Sequence, residues 1–260
     1  MILSAPAKVN LFLKVAGKLP NNFHAIETLF VPLTTVADEL ELHLTADGKR
    51  KISVVCDHPM VPDGEKNLCW KAAELTLNAL GIRDSLHLQI RKRIPVAGGM
   101  GGGSSDAGTL IKALQQTYGF LPDGGAAIAL ECGSDVPFFL NPTPSTGFGR
   151  GEILTPLDGL HLPEIRIIPM DFPISAKWAY THLAPETEGD PRRLEDMIFA
   201  LRSGDFHSAA ELLRNDLAPA AFRKFPLLAW TKQRFEEENP GWVVQLSGSG
   251  ATLFAINSQK

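Results

Sequence analysis

No apolar run in this chain approaches the ~20 residues that cross a bilayer. No basic segment leads into a short apolar stretch at the N-terminus, so neither a membrane helix nor a secretory leader is expected. Cysteine is scarce. Cys56, Cys69 and Cys132 are odd in number and far apart, with no C-x-x-C spacing. That argues against a disulfide framework or a zinc site, and for buried free thiols in a reducing compartment. Charge of one sign is not in excess: 25 Lys and Arg face 29 Asp and Glu, a net charge of −4. Composition therefore gives no reason to expect nucleic acid or an anionic membrane as partner. Repeats and low-complexity tracts are absent as well. What remains is ordinary for a cytoplasmic globular protein: 260 residues, 44% of them hydrophobic, enough for one large domain or two modest ones.

Along the chain the patterns are mixed. Val9, Leu11, Leu13 and Val15 alternate with Lys8, Asn10, Phe12 and Lys14, which predicts a strand with Lys8 and Asn10 on one face. Leu40, Leu42 and Leu44 alternate, Asp47-Gly48 signals a turn, and Ile52 and Val54 continue, so a β-hairpin is expected. Asn67 precedes an apolar-periodic segment that ends at Leu80 before Gly81, a capped helix. Leu86, Leu88 and Ile90 predict a further strand. Ala107, Leu110, Ile111, Leu114 and Tyr118 fall on one face of a helix. A second helix is expected over 124–132, and 141–151, with its prolines and glycines, reads as a hinge between domains. Beyond it the expectations are a strand at 165–168, a helix at 175–183, a polar loop at 187–193, helices over 194–214 (with a break at Gly204) and 220–238, and strands at 243–246 and 251–256 around a tight glycine turn. This is α plus β, without a regular βα alternation.

The segment 95–105 carries the chemistry: Pro95, Val96, Ala97, Gly98, Gly99, Met100, Gly101, Gly102, Gly103, Ser104 and Ser105. Five glycines in six positions let backbone approach something closely. A helix start follows, with unpaired N–H groups and the positive end of a dipole, and together these describe a phosphate cradle. It is not a Walker loop, because Ser104 stands where that motif needs lysine, nor a dinucleotide fingerprint, because the third glycine is missing in both registers. Ser104 and Ser105 can serve as helix caps or as donors to phosphate.

The run P-x-x-x-G-x-G-G-G-S-S-x-A resembles the central motif of the GHMP kinase superfamily. The segment 5–11, Ala-Pro-Ala-Lys-Val-Asn-Leu, is similar to its first motif, and 246–252, Leu-Ser-Gly-Ser-Gly-Ala-Thr, to its third. Asn22-Phe23-His24, the triple glycine before Ser104, 133–139 and 149–154 resemble the branch that phosphorylates a cytidine-diphosphate-linked methylerythritol. The resemblance covers about residues 4 to 255. It implies a two-domain α+β fold, a ribosomal protein S5 domain 2-like N-terminal domain with a ferredoxin-like C-terminal domain. ATP would bind in 1–150 and the acceptor in 151–260, with the active site in the cleft between the halves. It further implies ATP and Mg²⁺ as cofactors, a small-molecule cytidyl diphosphate as substrate, and a monomer or weak homodimer. Members usually continue past the third motif with another helix, whereas this sequence ends soon after Ile256.

By this resemblance Asp135 is the general base and Lys8 its partner, whose ammonium would polarise the acceptor hydroxyl and offset charge in the transition state. Taken alone, Asp135 reads as an N-cap before Val136-Pro137, and Lys8 as a surface lysine. Asn10 would reach the substrate from the face of Lys8. Phe23 and His24 would stack a cytosine and bond its edge, with Phe23 in place of the family's usual tyrosine and Asn22 where glycine is common. Trp178 and Tyr180 lie where the family sets an aromatic ring against the base. Ser105 is the nominated Mg²⁺ contact. Asn67 and Lys92 read either as contacts near adenine and ribose or as a helix cap and a solvated lysine. Gly248, Ser249 and Gly250 read as a tight turn, to which the resemblance adds the shaping of the substrate and phosphate site. Other readings are a mevalonate- or homoserine-type kinase of the superfamily, and a non-catalytic nucleotide- or RNA-binding protein on the same fold.

Overall fold

The computed structural model of the chain describes residues 1–20, 23–184 and 189–259. Asn22, and Thr187 and Glu188 of the expected polar loop, lie outside the described residues. The chain forms two compact units that alternate along the sequence. The first comprises Met1–Ala7, Pro32–Val96 and Gly101–Pro142, the second Lys8–Val31, Ala97–Met100 and Thr143–Lys260. Two long strands, β1 (Ile2–Lys18) and β2 (His24–Thr45), contribute to both.

In the first unit the strand order is β3-β4-β2-β1, with β3 at Ile52–Cys56 and β4 at Ser85–Arg91. The expected hairpin of 40–44 with 52–54 does not form. Leu40, Leu42 and Leu44 pair antiparallel with Ile90, Leu88 and Leu86 of β4, and β3 joins β4 in parallel on its other side. Alternation specifies which face is buried but not which strand lies alongside. Leu86, Leu88 and Ile90 are themselves buried on that face, which suits the central place. Four helices cover it: α1 (Leu68–Ala79), α2 (Gly102–Tyr118), α3 (Ala126–Cys132) and α4 (Val136–Leu140). The stripe Ala107, Leu110, Ile111 and Leu114 of α2 is fully buried against Leu77 of α1 and the sheet, as its spacing predicts. Each of the large side chains stabilises the unit by about 1.5–3 kcal/mol.

In the second unit Phe12 and Leu13 of β1 pair in parallel with a two-residue strand, β8 (Arg214–Asn215), placed here ahead of β5–β7 because it completes this sheet. The 141–151 segment carries a boundary between the units, between Pro142 and Thr143, as expected of an inter-domain segment, but it is not irregular: it contains β5 (Ser145–Phe148), which pairs with β2 and with β6 (Ile153–Pro156). A second sheet is antiparallel, in the order β7 (Ile165–Ile168), β10 (Leu253–Asn257), β9 (Trp242–Leu246). Its buried Val244, Leu246, Leu253 and Ala255 pack with Ala221 and Leu228. Those two belong to α8 (Ala218–Lys224) and α9 (Pro226–Glu238), which replace the single helix expected over 220–238. Pro226 explains the split, since it disfavours helical backbone at Phe225, which lies at φ −122, ψ 81. The other helices are α5 (Ala176–Thr181), α6 (Leu194–Ser203) and α7 (Phe206–Glu211), so the expected helix over 194–214 stops short and Arg214 is strand.

Among the described residues no helix is long and apolar enough to cross a membrane. The three cysteines are free, and burial pushes the Cys69 thiol well above its ordinary value.

Candidate active site

The first unit presents the helix end that follows the glycine run. Gly101 takes the left-handed conformation (φ 73) at the N-cap and α2 begins at Gly102. The first intrahelical bond runs from Ser105 N–H to Gly101 O, 2.8 Å. The N–H groups of Gly102, Gly103 and Ser104 stand ahead of it, at the positive end of a helix 17 residues long. A Cβ on Gly103 would meet nothing within 4 Å, so this side is open. The serines are not caps, because the helix starts before them. Ser105 is fully buried and its Oγ donates to Pro6 O at 2.6 Å. That contact joins α2 to β1 and leaves Ser105 ill suited to hold Mg²⁺.

Asn67 takes up the helix-cap reading, and Lys92 departs from the solvated one. The Asn67 Oδ1 caps α1 by accepting from Cys69 N–H at 2.9 Å, and its Nδ2 donates to Pro62 O at 2.8 Å. Lys92 is not solvated. Its side chain is 4% exposed, and its ammonium is paired with Asp38 and, at 2.8 Å, with Asp106. Neither aspartate carries a sequence signal of its own. Burial, reinforced by Asp38 and opposed by Lys92, pushes the Asp106 carboxyl from its ordinary 3.8 up to about 7. A carboxyl that holds its proton more tightly when folded contributes stability that is full below pH 3.8 and lost as pH rises through about 7. Asp106→Asn has no such proton to lose, so the parent chain is expected to lose more stability than the variant between pH 5 and pH 8. Thermal denaturation of both proteins at both pH values checks this; a melting-temperature difference that does not change with pH contradicts it.

Asp135 sits directly before α4, with Pro137 in the first turn, yet its side chain makes no capping bond. The cap reading therefore fails. Val136, Phe138 and Phe139 are buried and fix the backbone beside this half-buried carboxylate.

The second unit holds Lys8 in a file of buried polar groups. Lys8 Nζ donates to Asn10 Oδ1 at 2.7 Å, Asn10 Nδ2 to Thr28 Oγ1 at 2.7 Å, and Thr28 Oγ1 to Phe12 O at 2.7 Å. The ammonium also lies 5.3 Å from the Phe30 ring centroid. The shared face of Lys8 and Asn10 is thus confirmed, but it is buried. Asn10 spends its amide on orienting Lys8, where a reach to substrate was expected. Thr28 comes from β2, and nothing in the sequence linked it to the first motif.

The tip of the glycine run belongs to this unit as well. Met100 O accepts from Lys8 N–H at 3.1 Å, and Gly99 O from Ser247 Oγ at 3.2 Å. Gly99 has φ +75, and a Cβ there would lie 1.9 Å from Ser247 O and 2.8 Å from Gly250 N. At Gly99, then, the close approach is to the chain's own third motif. Asn215 holds that motif from below: its Nδ2 donates to Leu246 O and Gly248 O, both at 2.8 Å, and its Oδ1 accepts from Leu217 N–H at 2.9 Å. Sequence reasoning missed Asn215, because a two-residue strand has no period to detect. Gly248 and Gly250 are buried and Ser249 is half-buried at the turn.

Elsewhere in the same unit Phe23 is 49% exposed, with the Arg150 guanidinium 4.8 Å from its ring centroid. His24 stacks on Tyr180 at 5.3 Å. Of the two aromatics expected near a base, Tyr180 is the one beside His24. Trp178 is engaged instead with His182 and Phe225.

The arrangement has relatives. Residues 67–141 match the GHMP kinases N terminal domain and residues 197–260 the GHMP kinases C terminal domain. The 4-diphosphocytidyl-2-C-methyl-D-erythritol kinase of Shouchella clausii is 34% identical over 98% of this chain and 84% of its own length. That of an Anaeromyxobacter species is 38% identical over 96% and 80%. A crystal structure of 4-(cytidine 5'-diphospho)-2C-methyl-D-erythritol kinase superposes with a TM-score of 0.80 at 33% identity, covering 98% of this chain and 90% of that one. A homoserine kinase from Cytophaga hutchinsonii superposes at 0.73 with 18% identity, covering 99% and 85%, a likeness of fold.

Proposed function

This chain belongs to the GHMP kinases, in the family of the 4-diphosphocytidyl-2-C-methyl-D-erythritol kinases, and from that premise we infer that it phosphorylates this cytidyl alcohol with ATP. The observation that carries the reading is the full-length match to relatives of that name and fold. In the transfer, the bond between the γ-phosphorus and the β–γ bridging oxygen of ATP breaks. A bond forms from that phosphorus to the 2-hydroxyl oxygen of the acceptor, and ADP leaves.

We assign the proton of that hydroxyl to the Asp135 carboxylate, which its helix does not use as a cap. Lys8, oriented by Asn10 and Thr28, would polarise the same hydroxyl and offset charge as it develops. The amides of Gly102, Gly103 and Ser104 would receive the ATP phosphates. The exposed Phe23 ring offers a face to the cytosine, and His24 offers a donor or acceptor to its edge. Gly248, Ser249 and Gly250 would shape the wall beside the loop tip. Residues 1–150 would serve ATP and also carry Lys8, Phe23, His24 and Asp135 for the acceptor, with 151–260 completing the acceptor side.

Mg²⁺ supplies neutralisation of phosphate charge when bound. Among the described residues no group of three His, Cys, Asp or Glu is placed to hold a metal. Its ligands would be the phosphates and water, and no step is assigned to it.

A panel of acceptors tests the reading. ADP release with the cytidyl alcohol should exceed that with mevalonate or homoserine by at least ~100-fold in kcat/KM. Turnover with either of those two but not with the cytidyl alcohol would refute it.

A further inference from the structure

We propose that Asp38, Lys92 and Asp106 form a buried strut that positions the phosphate loop, so that Lys92 serves ATP through this strut. The proposal rests on the kinase reading above.

Asp38 lies one residue before the β2–β4 pairing begins at Glu39 and Arg91. Its Oδ1 accepts the N–H groups of Arg93 at 2.6 Å and Ile94 at 2.8 Å, the two residues that lead into Pro95. Its Oδ2 accepts from Lys92 Nζ. The same ammonium donates to Asp106 Oδ2 at 2.8 Å, in the second turn of α2. A Cβ on Gly102 would lie 3.2 Å from Lys92 Nζ and 3.2 Å from Ile94 Cγ2, so the start of α2 rests directly on the strut. One cation thus ties the entry to the glycine run, 92–94, to its exit, 102–106.

The three side chains are 0–4% exposed, so the ion pairs are shielded from water. Charge-assisted bonds of this kind are short and directional. With both stems held, the amides of Gly102, Gly103 and Ser104 are oriented before ATP arrives. The ordering cost is met in folding, and affinity for the nucleotide gains accordingly.

The test combines steady-state kinetics with titration of a non-hydrolysable ATP analogue. Lys92→Met and Asp106→Ala should each raise KM for ATP and the analogue Kd by roughly tenfold, with the acceptor KM within about twofold of the parent. Asp106→Asn keeps an oxygen for the ammonium and should return both values to within about twofold. Analogue binding unchanged in a folded Lys92→Met overturns the proposal. So does a parallel rise in the acceptor KM, or an Asn variant as weak as the Ala one. Should Lys92→Met fail to fold, Asp106→Ala decides by the same criteria. The titration needs no acceptor, so it judges the strut even if the cytidyl alcohol is not turned over.

Discussion

Asp135→Asn is expected to lower kcat by about 10³-fold while the ATP-analogue Kd stays within about twofold of the parent. The substitution is isosteric and removes the negative charge, and with it the ability to accept a proton. The helix that follows should keep its place, for two reasons. The Asp135 side chain makes no capping bond to α4, so no helix end loses a partner. Its backbone is held by Val136, Phe138 and Phe139, all of which stay buried. Loss of turnover in a folded, nucleotide-binding protein isolates the chemical step. Single-turnover transfer to the cytidyl alcohol, with a thermal melt alongside, makes the measurement. A rate equal to the parent's would mean that another group takes the proton.

Gly99→Ala should do the opposite, damaging fold and activity together. The added methyl would lie 1.9 Å from Ser247 O and 2.8 Å from Gly250 N, both backbone atoms of a turn that Asn215 pins in place. Neither can retreat without breaking a buried bond, and the φ of +75 is strained for alanine in any case. A loss of at least ~2 kcal/mol is expected, read as a lower urea midpoint with an unchanged slope, together with a fall of ~100-fold or more in kcat/KM. Gly103→Ala is the stability control. Its Cβ would enter open space, so its urea midpoint should match the parent's. Equal midpoints for all three proteins would show that the loop tip yields more easily than its packing indicates.

These two sites show what the sequence made legible and what it did not. The alternation around Lys8 and Asn10 placed both on one face, because a strand's period is a local property. The apolar spacing of α2 was readable for the same reason. Thr28, Asp38, Asp106 and Asn215 were not, since each matters through a partner distant in the chain. Lys92 shows the cost of that blindness. Charged residues are usually solvated, and only the two aspartates that meet it in space reveal a buried ion. The inserted strand β4 is a further case, since pairing partners depend on topology and not on pattern. The serines following the glycines misled for a simpler reason: Gly101 starts the helix before they can cap it.

The file of groups behind Lys8 has a polarity, and its origin is a backbone carbonyl. Phe12 O can only accept, so the Thr28 hydroxyl must spend its proton there and can only accept from Asn10. That forces the amide nitrogen of Asn10 toward Thr28 and its oxygen toward Lys8. Turning the amide over would set two N–H groups against an ammonium. The carbonyl of one residue in β1 thereby dictates, three bonds away, that Lys8 always meets a bare acceptor. One of the three ammonium protons of Lys8 is committed to that bond, and its direction fixes the rotation of the ammonium about the Cε–Nζ bond.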